Sequence, residues 1–235
     1  MKRIDPNQFP LDHDAPPVNP LPVSVVVIAG AMFLIELVLT AGASGLFGGP
    51  GAVGWRLAAM EQFGFYEPLF SWMAETGTLK PEYLMRLVTY PFVHPTFTSA
   101  VFAAVFVLAL GKMVGEQLGE VAVLVVFFGA TVFGALGYWA IWDTRLMLIG
   151  GFPGAYGLIG GFTFLLWSGR VGHASGLQAF TLIAFLMGLQ LLFGLLFGGS
   201  ITWVAELVGF IAGFALAALM TPGARMLILD RLRRR

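Results

Sequence analysis

The stretch Gly150–Phe162 reads GGFPGAYGLIGGF and contains no charged residue. Two of its glycines, Gly157 and Gly161, are four residues apart, so in a helix they lie on one face. Helices in lipid associate through close van der Waals contact, which a face of glycines permits. The stretch therefore predicts a membrane helix that packs tightly against a partner.

A second face of small residues lies near the C-terminus of the chain. Its members recur every four positions, which places them on one side of a helix. We expect this face to pack against the glycines of the first stretch, and we interpret these glycines as packing residues rather than as a binding site. The second face consists of Ala205, Gly209, Gly213 and Ala217.

The composition of the chain is that of a membrane protein. Of its 235 residues, 58% are hydrophobic and 11% are charged, and the mean hydropathy is +0.85. A soluble fold would have too few polar residues to cover its surface, so we expect membrane lipid as a partner. The net charge is zero and no basic stripe is interleaved with aromatic residues, which argues against a nucleic-acid partner. The lack of cysteine excludes disulfides, thiolate nucleophiles and cysteine zinc sites.

Six apolar blocks are each about as long as the ~20 residues that a helix needs to cross a ~30 Å hydrocarbon core. They predict an all-α, multi-pass membrane domain over residues 23–220. A flexible, proline-rich tail at residues 1–22 and a short basic tail at 221–235 are expected to flank this domain. The blocks cover residues 23–43, 96–112, 121–142, 151–167, 177–197 and 201–220.

The basic residues predict the orientation of these blocks. Nine of the thirteen Lys and Arg residues lie on one side in a six-span arrangement, so both termini should be cytoplasmic, and we expect a bacterial inner membrane. The sequence Ala41-Gly42-Ala43 resembles a signal-peptidase site. The apolar block before it is too long for a signal peptide and the preceding tail carries acids, which favours an uncleaved anchor over a cleaved signal.

Between the first and second blocks lies an outer segment, residues 44–95, that mixes aromatic and charged side chains. Such a mixture is typical of the headgroup layer, where aromatic rings are half buried and charges stay wet. We predict that the outer segment lies in the membrane interface, as a lipid-contacting structural loop rather than a ligand site. Its aromatic and charged residues include Trp55, Arg56, Glu61, Phe63, Phe65, Tyr66, Glu67, Phe70, Trp72 and Glu75.

Three polar residues, Glu36, Gln190 and Glu206, lie inside the apolar blocks at one depth, ~10 Å below the outer surface at 1.5 Å per residue. An ionised carboxylate at the centre of a bilayer costs at least ~2.5 kcal/mol, so such residues normally face a bundle interior or a wet cavity. For Glu206, a functional role and a structural hydrogen bond are equal alternatives. For Glu36 and Gln190, a structural role is favoured.

Several motifs resemble those of the rhomboid family of intramembrane serine proteases, in the family's order and over roughly residues 23–220. The resemblance implies a six-helix, rhomboid-like bundle in which the glycine faces hold the fourth and sixth helices together. The motifs are Arg86, Thr89, Phe92 and His94 before the second helix, Gly111, Glu116 and Gly119 after it, Tyr156-Gly157-Leu158-Ile159-Gly160 in the fourth helix, and Ala205, Gly209 and Gly213 in the sixth.

The chain departs from the family at each catalytic position. The resemblance places Phe152 where the nucleophilic serine belongs and Glu206 where the histidine belongs. A serine nucleophile needs a hydroxyl, a base and oxyanion donors, but the second-helix positions that would support the oxyanion hold Ser99 and Ala103. No serine occurs between positions 99 and 168 and no histidine after position 173, so a shifted alignment restores neither residue. The resemblance therefore implies a catalytically inactive member rather than an enzyme.

An inactive rhomboid is expected to bind transmembrane segments of client proteins, which would enter between the second and fifth helices and meet a cavity around Glu206. The candidate cavity residues are Glu206, Tyr156, His94, Glu36 and Gln190, with Tyr156 interpreted as a core aromatic and His94 as a support of its loop. Two alternatives remain: a hydrolase in which Glu206 activates water, and a solute or proton conduit through the layer of polar residues. The carboxylates and the distant histidine lack ligand spacing, so no metal or cofactor is expected.

Overall fold

A computed structural model of the chain describes residues 20–46, 48–141, 145–171, 178–197, 202–224 and 226, with the backbone alone at 189–191 and 193–197. Most of the two expected tails lies outside these residues, as do seven of the nine basic residues that predict cytoplasmic termini. The side chain of Gln190 lies outside the described part as well. The statements about the tails, the orientation and Gln190 therefore stay predictions.

The described part of the chain is helical, and its one pairing of extended backbone is an isolated bridge between Phe65 and Leu148. Short 3₁₀ turns occur at Pro50–Gly54, Tyr90–Phe92 and Gln178–Phe180. The α-helices are α1 (Val23–Ala43), α2 (Trp55–Phe63), α3 (Glu67–Thr76), α4 (Pro81–Leu84), α5 (Arg86–Thr89), α6 (Phe97–Leu118), α7 (Glu120–Ile141), α8 (Phe152–Trp167), α9 (Thr181–Phe197) and α10 (Trp203–Met220).

Four of these helices, α1, α6, α7 and α10, are long and apolar enough to cross a membrane. The chain is therefore an integral, multi-pass membrane protein. Two further apolar helices are shorter, with 16 residues in α8 and 17 in α9. A helix thus occurs at each of the six apolar blocks, and α1 begins and ends at the predicted residues.

The helix of the second block is longer than predicted. The prediction ended at Lys112, before a run that includes charged and glycine residues, but α6 continues to Leu118. Lys112 and Glu116 are one turn apart, and their charged groups lie 3.8 Å from each other, so opposite charges share one helix face without interrupting it. Gly119 caps the C-terminal end of the helix, and its φ of +86° is a conformation that favours glycine.

Helix α8 lies at the centre of the bundle, and every residue from Pro153 to Gly161 is buried. Its main neighbours are α7 and α10, while α1 packs against α6 on the other side. A helix that is apolar on all sides is a buried helix, so the lack of a polar face in Gly150–Phe162 is consistent with this central position. The N-terminal end of α8 is consequently surrounded by protein.

The two small-residue faces meet along a seam between α8 and α10. A methyl group added at Gly213 would overlap the carbonyl group of Gly157, and one at Gly209 would lie 2.5 Å from the carbonyl oxygen of Pro153. Backbone therefore contacts backbone along the seam, which only glycine permits. Ala205 and Ala217 are fully buried at its two ends.

Within α8, the glycine that most needs to be small on the side of α10 is Gly160. A methyl group there would overlap the carbonyl oxygen of Phe210. At Gly161 the nearest atoms would be a methyl of Val114 at 3.4 Å and Cβ of Ala217 at 3.5 Å, which is ordinary contact. The spacing of four residues singled out Gly161, whereas the crossing of the helices turns Gly160 towards the partner backbone.

Candidate functional site

The first residues of α8 form one wall of the candidate site. Gly150 has a φ of +93°, Gly151 caps the helix, and Phe152 and Pro153 are its first two residues. Proline suits this position because the first turn of a helix has no intrahelical partner for its N–H groups. The ring of Phe152 is partly buried and packs against the main hydrophobic core. Position 152 is therefore occupied by an apolar side chain without an ionisable group.

The loop before α8 is held by the 3₁₀ turn Tyr90–Phe92 and the residues that follow it. The backbone N–H of Gly150 donates to the carbonyl oxygen of Tyr90 at 3.0 Å. The N–H of Gly151 donates to Nε2 of His94 at 3.1 Å. Since Nε2 accepts this bond, the imidazole is neutral with its proton on Nδ1. His94, which lies in the loop before α6, thus also supports the loop before α8.

The environment of His94 favours this neutral form. Its side chain is fully buried. Burial lowers the pKa of His94 to about 4, against the smaller opposing effect of the Glu36 carboxylate. The imidazole is therefore uncharged at neutral pH and can accept the bond from Gly151.

Arg56 connects the outer segment to this arrangement. Its guanidinium binds the Glu36 carboxylate in a fork, with N–O distances of 2.6 and 2.9 Å. It also donates to Oγ1 of Thr40 at 3.1 Å and to the carbonyl oxygen of His94 at 2.8 Å. The sequence interpretation treated Arg56 as a wet interfacial charge, and that was wrong: the side chain is 20% exposed and folds onto Glu36.

The pairing with Arg56 explains how α1 carries a carboxylate among apolar residues. Glu36 is 1% exposed, and a buried carboxylate needs a counter-charge and hydrogen bonds. The guanidinium of Arg56 and the hydroxyl of Thr40 supply both. The carboxylate of Glu36 is engaged in this ion pair, which leaves it a structural group between α1 and α2.

Glu206 has different neighbours. It lies in the first turn of α10 and is 5% exposed. The N-terminal turn of a helix favours a negative charge. The carboxylate lies close enough to the phenol groups of Tyr90 and Tyr156 to act on both electrostatically. Burial raises the pKa of Tyr90 well above its usual value, and the charge of Glu206 raises it further.

Tyr90 is the member of this group that the sequence did not indicate. Its side chain is fully buried, and its hydroxyl donates to the carbonyl oxygen of Thr131 in α7 at 2.9 Å. Tyr156 is also buried, at 6% exposure. The only sequence signal for Tyr90 is its place between Thr89 and Pro91 in the motif before the second helix. Glu206, Tyr90 and Tyr156 are hereafter the Glu206 group.

The seam brings the start of α8 next to the start of α10. The carbonyl oxygen of Pro153 faces Gly209, and a methyl group at Gly134 in α7 would lie 2.7 Å from the carbonyl oxygen of Ala205 and 3.1 Å from Cβ of Pro153. Three helices therefore meet within one turn of positions 152 and 206. The sequence predicted this proximity from the two small-residue faces and from the resemblance that they carry.

The second-helix candidates lie in α6. Ala103 is fully buried and offers no side-chain donor. Ser99 is partly buried in the first turn, where its N–H donates to Oγ1 of the capping residue Thr96 at 3.2 Å. Gln190, the remaining candidate, belongs to α9, and its side chain lies outside the described residues.

The motif before the second helix ties the outer segment together. Arg86 donates to the carbonyl oxygen of Gly64 at 3.1 Å, and the hydroxyl of Thr89 donates to that of Phe63 at 3.1 Å. Both carbonyls lie at the C-terminal end of α2, where helix carbonyls lack intrahelical partners. The ring of Phe92 packs against Phe127 of α7, with ring centroids 6.5 Å apart. The motif residues thus position the loop that holds the start of α8.

Comparison with protein families identifies the domain. Residues 81–223 match the family model described as the Rhomboid domain. This range includes the motif before α6, the start of α8 and both faces of the seam. No curated protein matches the chain.

Proposed function

The chain belongs to the rhomboid family, and from this premise we propose that it is a six-helix pseudoprotease that binds transmembrane segments of client membrane proteins without cleaving them. The observation that carries the proposal is the identity of two side chains. Phe152 begins α8 and packs into the core, and Glu206 lies in the first turn of α10. The resemblance in sequence assigns the family's serine and histidine to these two positions.

The proposed architecture counts α8 and α9 as membrane spans together with the four longer helices. The membrane domain then covers residues 23–220, between a cytoplasmic tail at 1–22 and a basic cytoplasmic tail at 221–235, with the outer segment in the interface. The apolar character of all six helices supports the count, although α8 and α9 have only 16 and 17 residues. Helix α8 is enclosed by α7 and α10, so it needs less length than a lipid-exposed helix.

The described residues offer no obvious replacement for the missing dyad. His94 is the one histidine among them, and its Nε2 accepts from the Gly151 backbone rather than from a serine hydroxyl. The hydroxyls of Ser24 and Ser71 bond to carboxylates, and that of Ser168 to a backbone carbonyl. No described serine is bonded to an imidazole, the base of the family's serine–histidine dyad, so this arrangement supports an inactive protein.

Client entry is proposed between α6 and α9. The described parts of these two helices have few backbone contacts with each other. Ile183 and Leu186 of α9 pack against the main core, so the proposal requires these contacts to open when a client enters. Phe102 on α6 and Phe185 on α9 are 58% and 64% exposed, and we propose that such residues contact the entering segment. Polar client residues would then meet the Glu206 group.

The two alternatives draw different support from the geometry. A conduit through Glu36, Gln190 and Glu206 is disfavoured because Glu36 is engaged by Arg56. A hydrolase centred on Glu206 has one favourable observation: the carboxylate acts electrostatically on the phenols of Tyr90 and Tyr156, and that of Tyr156 can donate a proton. The same phenols equally suit a polar contact to a client, so the hydrolase is the second candidate.

The test of client binding is photo-crosslinking in native membranes. A photoreactive amino acid replaces Phe102 or Phe185, and Val27, a 61% exposed residue of α1, is the matched lipid-facing control. We expect protein crosslinks from the first two positions and several-fold fewer from the third. Glu206→Leu should reduce the crosslinks, Glu206→Gln should retain them, and Glu61→Leu in the outer segment should have no effect. Equal crosslinking from all three positions would contradict the proposal.

A further inference from the structure

A polar cleft of about 580 Å³ lies in the outer segment, where α3 meets the end of α7. It is separate from the Glu206 group. Helix α7 is a membrane-crossing helix that ends at Ile141, so the cleft lies at the level of the lipid headgroups. Its polar and aromatic lining consists of Glu67, Ser71, Trp72, Glu75, Trp139 and Arg145.

One wall of the cleft is held in place by a chain of hydrogen bonds. The indole N–H of Trp139 donates to Oγ of Ser71 at 3.0 Å, and the Ser71 hydroxyl donates to the Glu67 carboxylate. The carboxylate of Glu67 is 5% exposed and belongs to the first residue of α3, where the helix N-terminus stabilises its charge. The hydrogen bond from Ser71 orients the Glu67 carboxylate. Because a carboxylate has about four acceptor sites, Glu67 can accept a further hydrogen bond.

Charges of both signs line the cleft without neutralising one another. Glu67 and Glu75 are acidic and Arg145 is basic, yet among the described residues no ion pair within 4.0 Å joins any of them. A group that carries both a positive and a negative charge would be complementary to this lining. The ring of Trp72 already attracts one ammonium group, since Nζ of Lys80 lies 5.4 Å from its centroid.

We infer that this cleft binds a phosphoethanolamine group. Its ammonium would lie between the carboxylates of Glu67 and Glu75, where it can donate to the free acceptor sites of Glu67. Its phosphate would lie at Arg145, whose guanidinium matches phosphate geometry. The depth of the cleft makes the headgroup of phosphatidylethanolamine one source of this group, and free phosphoethanolamine is the other.

The test is native mass spectrometry of the full-length protein in detergent with added lipid. Phosphatidylethanolamine should be retained about tenfold more than phosphatidylglycerol or phosphatidylcholine, because neither of these offers an ammonium N–H. Glu67→Gln and Arg145→Ala should each reduce retention about tenfold, and Glu75→Gln, an exposed change that spares folding, should reduce it in the same direction. The matched control Glu61→Gln, an exposed carboxylate on α2 that does not line the cleft, should leave retention unchanged.

Competition separates the sources of the group. Displacement of the lipid by millimolar phosphoethanolamine would show that the headgroup alone is recognised, and failure of that displacement would show that the acyl chains contribute; both agree with the inference. Equal retention of the three lipids, or retention that survives both Glu67→Gln and Arg145→Ala, would overturn it. Stronger displacement by a lysine-containing peptide than by phosphoethanolamine would overturn it too, in favour of a cationic client segment.

Discussion

Arg56 binds three parts of the molecule with one guanidinium group. It pairs with Glu36 of α1, belongs to α2, and donates to the carbonyl oxygen of His94. His94 in turn accepts from Gly151, the residue before Phe152. A continuous series of contacts therefore runs from the outer segment to the start of α8, and it ends beside Phe152, whose side chain has no ionisable group.

Removal of Arg56 should be strongly destabilising. Arg56→Ala leaves the Glu36 carboxylate buried without a counter-charge, and breaking a buried pair costs roughly 3–5 kcal/mol. We expect a clear fall in the melting temperature of the detergent-purified protein. The double variant Glu36→Leu with Arg56→Leu should recover much of the loss, because it removes both charges. Lys80→Ala is the control, since its pair with Glu82 is exposed and 3.8 Å long. Equal melting temperatures for Arg56→Ala and wild type would contradict the account.

The neutral imidazole of His94 predicts a pH dependence of stability. Its pKa is about 4 in the folded protein and near 6.5 when the chain is unfolded. Between these values the unfolded chain binds the proton and the folded chain does not, so stability falls as the pH drops from about 6.5 towards about 4, by up to ~3 kcal/mol, and is level above. Melting temperatures measured from pH 7.5 to 4.5 should show this fall, and His94→Gln should flatten it. If the melting temperature of His94→Gln fell with pH as steeply as that of the wild type, groups other than His94 would be responsible for the fall.

At the scale of single residues, the sequence predicted those positions whose chemistry is unusual for their surroundings. A carboxylate in an apolar block is visible without a structure, which is how Glu36 and Glu206 were found. The partner of Glu36 was not visible, because Arg56 is twenty residues away and lies among charges that suit an interface. Tyr90 was missed for a similar reason, since its nearness to Glu206 depends on the packing of α7, α8 and α10.

At the scale of elements, the apolar blocks predicted where the six apolar helices occur, and the glycine spacing predicted which helices pack together. The short helices α2–α5 of the outer segment were not predicted, because that segment was interpreted as a loop. The contacts themselves could not be derived from spacing. Gly160 and Gly161 are neighbours on α8, and only the crossing geometry determines which one faces the backbone of α10. The end of α6 was also misplaced, because charged residues can continue a helix beyond the apolar core.

The packing at the seam predicts that two glycine-to-alanine substitutions differ in their effect on stability. Gly213→Ala places a methyl group against the carbonyl of Gly157, and backbone on both sides prevents relief, so we expect a loss of at least ~1–3 kcal/mol. Gly161→Ala meets only ordinary contacts and gains helix propensity, so it should be close to neutral. Thermal unfolding of the two purified variants measures the difference. Similar stabilities would show that the seam is looser than described.

At the scale of the whole molecule, the family match and the apolar helices establish a multi-pass membrane protein of the rhomboid family. The orientation of the chain in the membrane is a prediction. Reporter fusions placed after Met220 and within residues 1–22 should both report a cytoplasmic location, because cytoplasmic loops carry the excess of Lys and Arg. A fusion within the outer segment should report the opposite side. An external location of the fusion after Met220, together with a cytoplasmic N-terminal fusion, would require an odd number of spans and would rule out the six-helix count.

The central claim is that the molecule binds clients and leaves them whole. The most direct measurement is the length of each client captured by a photoreactive group at position 102 or 185, determined by mass spectrometry after purification of the crosslinked complex. We predict full-length clients in the wild-type protein and in Glu206→Gln, with no fragments that end inside a transmembrane segment. Fragments cut within the membrane by the wild-type protein, and absent with Glu206→Gln, would contradict the claim and establish the chain as a hydrolase that uses Glu206.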